Sequence, residues 1–166
     1  GPEGDSYTMD GDKVVYNDAI HSSADGIPFW DTGAPGLAAG VADYAGPSDP
    51  WDGPEPVDSS AAAISAQGLI RLGLRLGSRG SGYLRAGLGV SRTLFSPPYL
   101  SEAPKHEGLL LHSVYHRPRG WDYVPKGRRI PCGESSLWGD YHALELAVLV
   151  KRLARREPPA TFFAGG

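Results

Sequence analysis

Apolar residues recur at helical spacing in the later two thirds of the chain and at no fixed spacing before that. Over residues 58–77, Ala61, Ala62, Ile64, Leu69, Leu72 and Leu76 make a broad apolar side, while Gln67, Arg71 and Arg75 recur every four residues on the other. Asp58 or Ser59 can cap that helix by accepting an orphan N–H of its first turn, and Gly77 and Gly80 supply the stop. A second helix is predicted from about Gly82 to Phe95, with Tyr83, Ala86, Val90 and Leu94 in line and Pro97-Pro98 closing it. Its Gly87 and Gly89 each cost roughly 1 kcal/mol against alanine, which implies a closely packed neighbour. A last helix is predicted from about Ser136 to Arg156. Leu137, Tyr141, Leu144 and Val148 form one apolar line there, widened by Leu146, Leu149, Val150 and Leu153. Lys151, Arg152, Arg155 and Arg156 fall where cations suit the helix dipole, and Pro158-Pro159 ends it. A shorter helix is predicted over Lys13 to His21, with Val14, Tyr16 and Ile20 as its apolar residues.

Little period-two alternation is visible, so the expected class is mainly α. Between Ile27 and Pro56 lie Pro28, Pro35, Pro47, Pro50, Pro54 and Pro56, a density of breakers that no long helix or strand survives. The same stretch holds Phe29, Trp30, Tyr44 and Trp51, which are costly to leave exposed. A loop of this length in a compact domain has work to do, so it reads as a binding or covering loop. With 23 Gly and 15 Pro in 166 residues, long loops are expected between all the helices. Residues 1–12 read as a flexible segment or a truncation point, 13–157 as the folded portion, and 158–166 as a tail.

Charge changes the picture only by exclusion. Sixteen basic and nineteen acidic residues give a net −3 without a one-signed cluster, so no nucleic-acid partner is expected. No apolar run reaches the roughly 20 residues needed to span a bilayer, and no membrane partner is expected. The single cysteine, Cys132, excludes a disulfide framework and favours a reducing, cytoplasmic setting; an export signal on an N-terminus outside this sequence stays open. Cys132 itself reads as a small buried side chain.

Several patterns of catalytic type fail on their residues. Gly133-Glu134-Ser135-Ser136-Leu137 lacks the second glycine of a nucleophile elbow, and no strand precedes it. His112 and His116 would share a helix face, but the glutamate of a zinc-protease helix is absent between them. Gly87-Leu88-Gly89 lacks the third glycine of a dinucleotide loop. What remains outside the helix interiors is Trp30, Asp31, Asp58, His112, Tyr115, His116, Trp121, Asp122, Tyr123, Ser135, Ser136, Trp138 and Asp140. Aromatic faces beside carboxylates and hydroxyls suit a sugar, whose ring offers C–H faces for stacking and hydroxyl edges for hydrogen bonds. The residues alone thus reach a helical domain with a candidate carbohydrate site.

Four segments, in order, resemble the C-terminal half of glycoside hydrolase family 88, the unsaturated glucuronyl hydrolases. They are Asp25-Gly26-Ile27-Pro28-Phe29-Trp30-Asp31, Asp58-Ser59-Ser60-Ala61-Ala62-Ala63-Ile64, Glu107 through His116, and Cys132 through Tyr141. The resemblance implies the later helical hairpins of an (α/α)6 barrel, in a chain shorter than full members and read as a fragment or truncated form. It implies hydrolysis of lyase-generated oligosaccharides, in which an aspartate hydrates the vinyl ether of a 4,5-unsaturated uronic acid and the resulting hemiketal opens. An unsaturated uronyl oligosaccharide is the expected partner, and no metal or cofactor is expected. The substrate-binding residues it suggests are Trp30, Asp31, His112, His116, Trp121, Ser135, Ser136 and Trp138. None of Asp31, Asp58 and Asp140 matches a catalytic aspartate, and catalytic residues are expected in the N-terminal half. Arg117, Arg119, Lys126, Arg128 and Arg129 lie where members select substituents on the neighbouring sugar. Two other readings stay open: an unsaturated rhamnogalacturonyl hydrolase acting on pectin fragments, and a non-catalytic helical sugar-binding or scaffold domain. The apolar faces of helices 58–77 and 136–156 expect partners, which favours self-association if the barrel is incomplete.

Overall fold

The computed structural model describes residues 7–10, 13–16, 19–20, 22–38 and 42–160. Three short strands, β1 (Tyr7–Asp10), β2 (Lys13–Tyr16) and β3 (Ala19–Ile20), form an antiparallel meander in the order β1-β2-β3. Tyr7 pairs with Tyr16 and Asp10 with Lys13, while Val15 pairs with Ile20. The short helix expected over Lys13 to His21 is therefore replaced by strands. β-branched Val14 and Val15 suit a pleated backbone better than a helix. Gly11-Asp12, set between two four-residue segments, is a two-residue hairpin signature, and Val14 and Tyr16 stand two apart, a strand spacing rather than a helical one. Of the expected flexible N-terminal segment and the tail, residues 1–6, 11–12 and 161–166 lie outside the described residues.

The remainder is helical. A single turn, α1 (Pro35–Ala38), interrupts the proline-rich loop, with proline in the first helical position where its missing N–H costs nothing. The long helices are α2 (Ser59–Leu76), α3 (Ser81–Leu94) and α4 (Leu137–Ala154), and a 3₁₀ turn over Gly77–Gly80 joins α2 to α3. α2 packs against α3 on one side and α4 on another. Ala62, Ala63, Ala66 and Ile70 of α2 meet Val90 and Leu94 of α3 and Ala143, Leu146 and Leu149 of α4 in one core. Ile27, Phe29, Val57, Tyr99 and Leu110 close that core from the loops. The proline-rich loop thus covers apolar surface, as its aromatic content implies.

The hairpin's closeness is set by small residues. A Cβ on Gly73 would lie 2.6 Å from the backbone nitrogen of Leu84, and one on Gly87 would lie 2.8 Å from Ile70 Cγ1 and 2.9 Å from the Ala66 carbonyl oxygen. Gly87 therefore has the packed neighbour expected of it. Gly89 does not, because nothing lies within 4 Å of a Cβ built there.

α4 is apolar on two opposite faces. Gly139, Ala143, Leu146 and Leu149 turn inward, whereas Leu137, Tyr141, Leu144 and Val148 stand about half-exposed or more on the outer side. α2 repeats the arrangement on a smaller scale, with Ile64 and Leu72 outward. A helix apolar on both sides is ordinarily covered on both.

The two glycines of α3 give opposite expectations in urea or thermal unfolding. Gly87→Ala forces α2 and α3 apart and costs about 1–3 kcal/mol, while Gly89→Ala meets no neighbour and gains roughly 0.5–1 kcal/mol of helix propensity. Equal effects of the two substitutions would mean that the hairpin is not set by Gly87.

Candidate carbohydrate-binding site

The site is built where four irregular segments meet the first turn of α4. Ser136 caps that helix in an extended conformation (φ −123°, ψ 151°), its hydroxyl accepting from the Gly139 N–H at 3.1 Å. One turn in, Asp140 accepts from the N–H groups of Leu109 (3.0 Å) and Leu110 (2.8 Å) and ties residues 109–110 to α4. A Cβ on Gly139 would sit 2.5 Å from Ser113 Oγ, so only glycine lets residue 113 lie flat against the helix. Ser113 N–H in turn donates to the Glu134 carbonyl at 3.1 Å. Asp58 caps α2 by accepting from Ser60 N–H (2.9 Å) and Ser60 hydroxyl (2.7 Å), and also receives Val114 N–H at 3.4 Å. Burial pushes the Asp58 carboxyl above its usual range, against the pull of these hydrogen bonds. Asp122 closes the next loop, its two oxygens accepting from the N–H groups of Tyr115 and His116, the second at 2.9 Å.

These anchors present a concave surface of about 210 Å³ lined by Ser113, Tyr115, Trp121, Asp122, Tyr123, Glu134, Ser135, Ser136 and Trp138. Its centre is an aromatic stack. Tyr115 lies between Trp121 (5.9 Å between centroids) and Trp138 (5.4 Å), both at 26°. Trp121 and Tyr123 are more than half-exposed, an unusual concentration of open aromatic surface. The Arg119 guanidinium sits over the Trp121 ring, 5.3 Å from its centroid. Stacking faces, hydroxyls and carboxylates thus converge on one open cleft.

Of the residues expected from sequence, Trp121, Ser135, Ser136 and Trp138 line this cleft, and His116 stands at its edge with its ring 5.0 Å from Trp121. Ser113 and Glu134 line it without having been expected; nothing local in the sequence marks them. Trp30 and Asp31 lie elsewhere in the fold. Trp30 Nε1 donates to Glu55 at 3.1 Å, and Asp31 accepts from Gly33 N–H at 2.7 Å within its own turn. His112 and His116 share no helix face, because residues 112–116 are irregular and His112 takes a positive φ of 66°. His112 is buried, 2% exposed, with Trp51 (4.5 Å) and Tyr99 (5.6 Å) edge-on to its ring. Its Nδ1 accepts the Gly133 N–H at 3.1 Å, which leaves the ring proton on Nε2. Cys132 is buried, as expected of it. Among the five cations, Arg117 faces Glu55 (3.7 Å), Arg129 faces Asp52 (3.3 Å) and Arg128 stacks on Trp51, while Lys126 is exposed. No cluster of three or more metal-ligating side chains occurs among the described residues.

Burial lowers the His112 pKa to about 4. The unfolded chain protonates that ring near pH 6.5 and the folded chain does not, so stability falls as pH drops through this window. Wild type is expected to lose on the order of 3 kcal/mol of unfolding free energy between pH 6.5 and 4 from this group. His112→Gln, compared by urea titration at pH 6.5 and 5, flattens the slope; an unchanged slope would place the ring in a solvated setting.

No family model and no curated protein matches the chain. Solved structures do. The chain is similar to an unsaturated glucuronyl hydrolase from Bacillus sp. GL1, described as responsible for degradation of glycosaminoglycan, at 24% identity and a TM-score of 0.56. That match covers 80% of this chain and 29% of the other. An unsaturated glucuronyl hydrolase specific for heparin matches at 22% identity and a TM-score of 0.58, covering 85% of this chain and 31% of that one. A structure of UGL with dGlcA-Glc-Rha-Glc matches at 24% identity and a TM-score of 0.56. The chain therefore spans less than a third of the length of these structures. At these identities the likeness establishes architecture: the helices of this chain have the fold of the unsaturated glucuronyl hydrolases, in keeping with its four motifs and with an (α/α)6 barrel.

Proposed function

We propose that the chain forms the part of an unsaturated glucuronyl hydrolase that holds the sugar neighbouring the unsaturated uronic acid. The observation that carries this reading is the exposed stack of Tyr115, Trp121 and Trp138, set beside serine hydroxyls and two carboxylates in one cleft. Arg119 at the rim supplies a cation for a sulfate or carboxylate on that sugar. The solved glucuronyl hydrolases that share the fold, one described as degrading glycosaminoglycan, one as specific for heparin and one with dGlcA-Glc-Rha-Glc, support the substrate class. The reaction adds water across the C4=C5 bond of the uronic acid, and the hemiketal so formed opens to release its neighbour. The general acid for that step is assigned outside this chain. Asp31, Asp58 and Asp140 are each engaged by backbone N–H groups: Asp31 closes its own turn, Asp58 caps α2, and Asp140 ties residues 109–110 to α4.

Binding and turnover separate the readings. An unsaturated chondroitin disaccharide is expected to quench tryptophan fluorescence, and Trp121→Ala to weaken binding about tenfold, the equivalent of about 1.4 kcal/mol. Its ultraviolet absorbance is expected to stay constant with this chain alone. Preference for a pectin-derived disaccharide would favour the rhamnogalacturonyl reading, and loss of absorbance would place the acid among the residues present.

The outer stripe of α4 supports the further proposal that the isolated chain self-associates. Sedimentation at micromolar concentrations is expected to show oligomers that Leu144→Asp with Val148→Asp converts to monomers. A monomeric wild type with a sharp melt would rule this out.

A further inference from the structure

Glu55 is the buried carboxylate of the proline-rich loop, 7% exposed, and it gathers three distant segments. Its Oε1 accepts the Gly36 N–H at 2.9 Å, and its Oε2 accepts the Trp30 indole N–H at 3.1 Å. The same Oε2 faces Arg117 Nε at 3.7 Å. Gly36 is glycine for a steric reason, since a Cβ there would lie 2.8 Å from Glu55 Cγ and 2.5 Å from the Pro54 carbonyl oxygen. A buried carboxylate with two neutral donors needs a cation to offset its desolvation, and Arg117 is the cation at hand.

Arg117 opens the 3₁₀ turn Arg117–Arg119, and that turn carries the aromatic cleft's wall. The N–H groups of Arg119 and Trp121 both donate to the His116 carbonyl, and Gly120 N–H donates to the Arg117 carbonyl at 3.0 Å. Gly120 takes the positive φ (65°) that ends the turn, directing the chain into Trp121. A shift of Arg117 is therefore passed through one rigid turn to Trp121 and to the Arg119 guanidinium above it.

We infer that Glu55 is the positioning residue of the sugar cleft: through Arg117 it fixes the turn that sets Trp121 and Arg119, while through Trp30 and Gly36 it locks that turn to the covering loop. Glu55 lines no part of the cleft and touches no ligand there. This inference rests on the carbohydrate reading for its ligand and on geometry alone for its positioning.

The test uses the four tryptophans as reporters. Their indole N–H resonances in ¹H–¹⁵N spectra are assigned by single substitution to phenylalanine. Glu55→Gln keeps an acceptor for Trp30 and Gly36 but removes the charge facing Arg117, and Arg117→Met removes the other half of the pair. Each variant is expected to move the Trp121 resonance and leave that of Trp51, which packs on His112. The double variant is expected to move Trp121 no further than either single change, as one shared interaction requires. Affinity for an unsaturated chondroitin disaccharide is expected to fall at least fivefold in both, with Arg117→Lys restoring part of it. An unmoved Trp121 resonance in both variants overturns the inference, whatever the ligand does. A moved resonance with unchanged affinity overturns it too, since Glu55 would then order the turn without serving the site. If wild type binds no disaccharide, the carbohydrate reading fails, and the resonances still decide whether Glu55 positions the turn.

Discussion

The loops that build the cleft depend on carboxylates accepting backbone N–H groups. More than a fifth of the chain is glycine or proline, so long segments cannot satisfy their amides in helices or sheets. Acidic side chains take that role. Asp25 accepts from Ile27 and Ser48, Asp49 from Trp51 and Asp52, Asp122 from Tyr115 and His116, and Asp140 from Leu109 and Leu110. Each such bond pairs a charged acceptor with a donor that would otherwise need water, which makes it stronger than a neutral turn bond. The excess of acid over base in the composition is, in this light, largely a property of the loops.

That constraint also sorts what could be read from the sequence. Helices α2, α3 and α4 were legible because their signals are local: apolar spacing, Asp58 as a cap candidate, Gly77 as a stop and prolines beyond the later ends. The strands β1 and β2 were missed because they are only four residues each, too short for a clear period, so that β-branched Val14 and Val15 and the Gly11-Asp12 pair carry the whole signal. The cleft was legible by residue type and only partly by position. Trp121, Trp138 and the two serines fall into it because they sit within a few residues of a cap or an Asx-type closure. Trp30 and His112 do not, since their fates are decided by Glu55, 25 residues from Trp30, and by Gly133, 21 residues from His112. Partners that distant leave no local pattern.

The two-faced character of α4 links fold and function. Its first turn caps the cleft through Ser136, and its inner face closes the core, yet its outer face stands open. Covering Tyr141, Leu144 and Val148 adds stability without touching the cleft, because none of the three lines it. Binding at the cleft and completion of the helical layer are therefore separable in energy, even though one helix serves both.

The distribution of charge carries the argument one step further. A catalytic general acid needs a carboxyl free to exchange a proton with substrate, held by few competing donors. Asp122, which lines the cleft, and Asp140, one turn into α4, are each fastened by backbone amides that fix the direction of the carboxylate. Releasing either would unpair two N–H groups and loosen the segment that presents Tyr115 or Leu110. The order that lets a glycine-rich surface hold three aromatic rings together thus comes from the same carboxylates that proton transfer would require to be free.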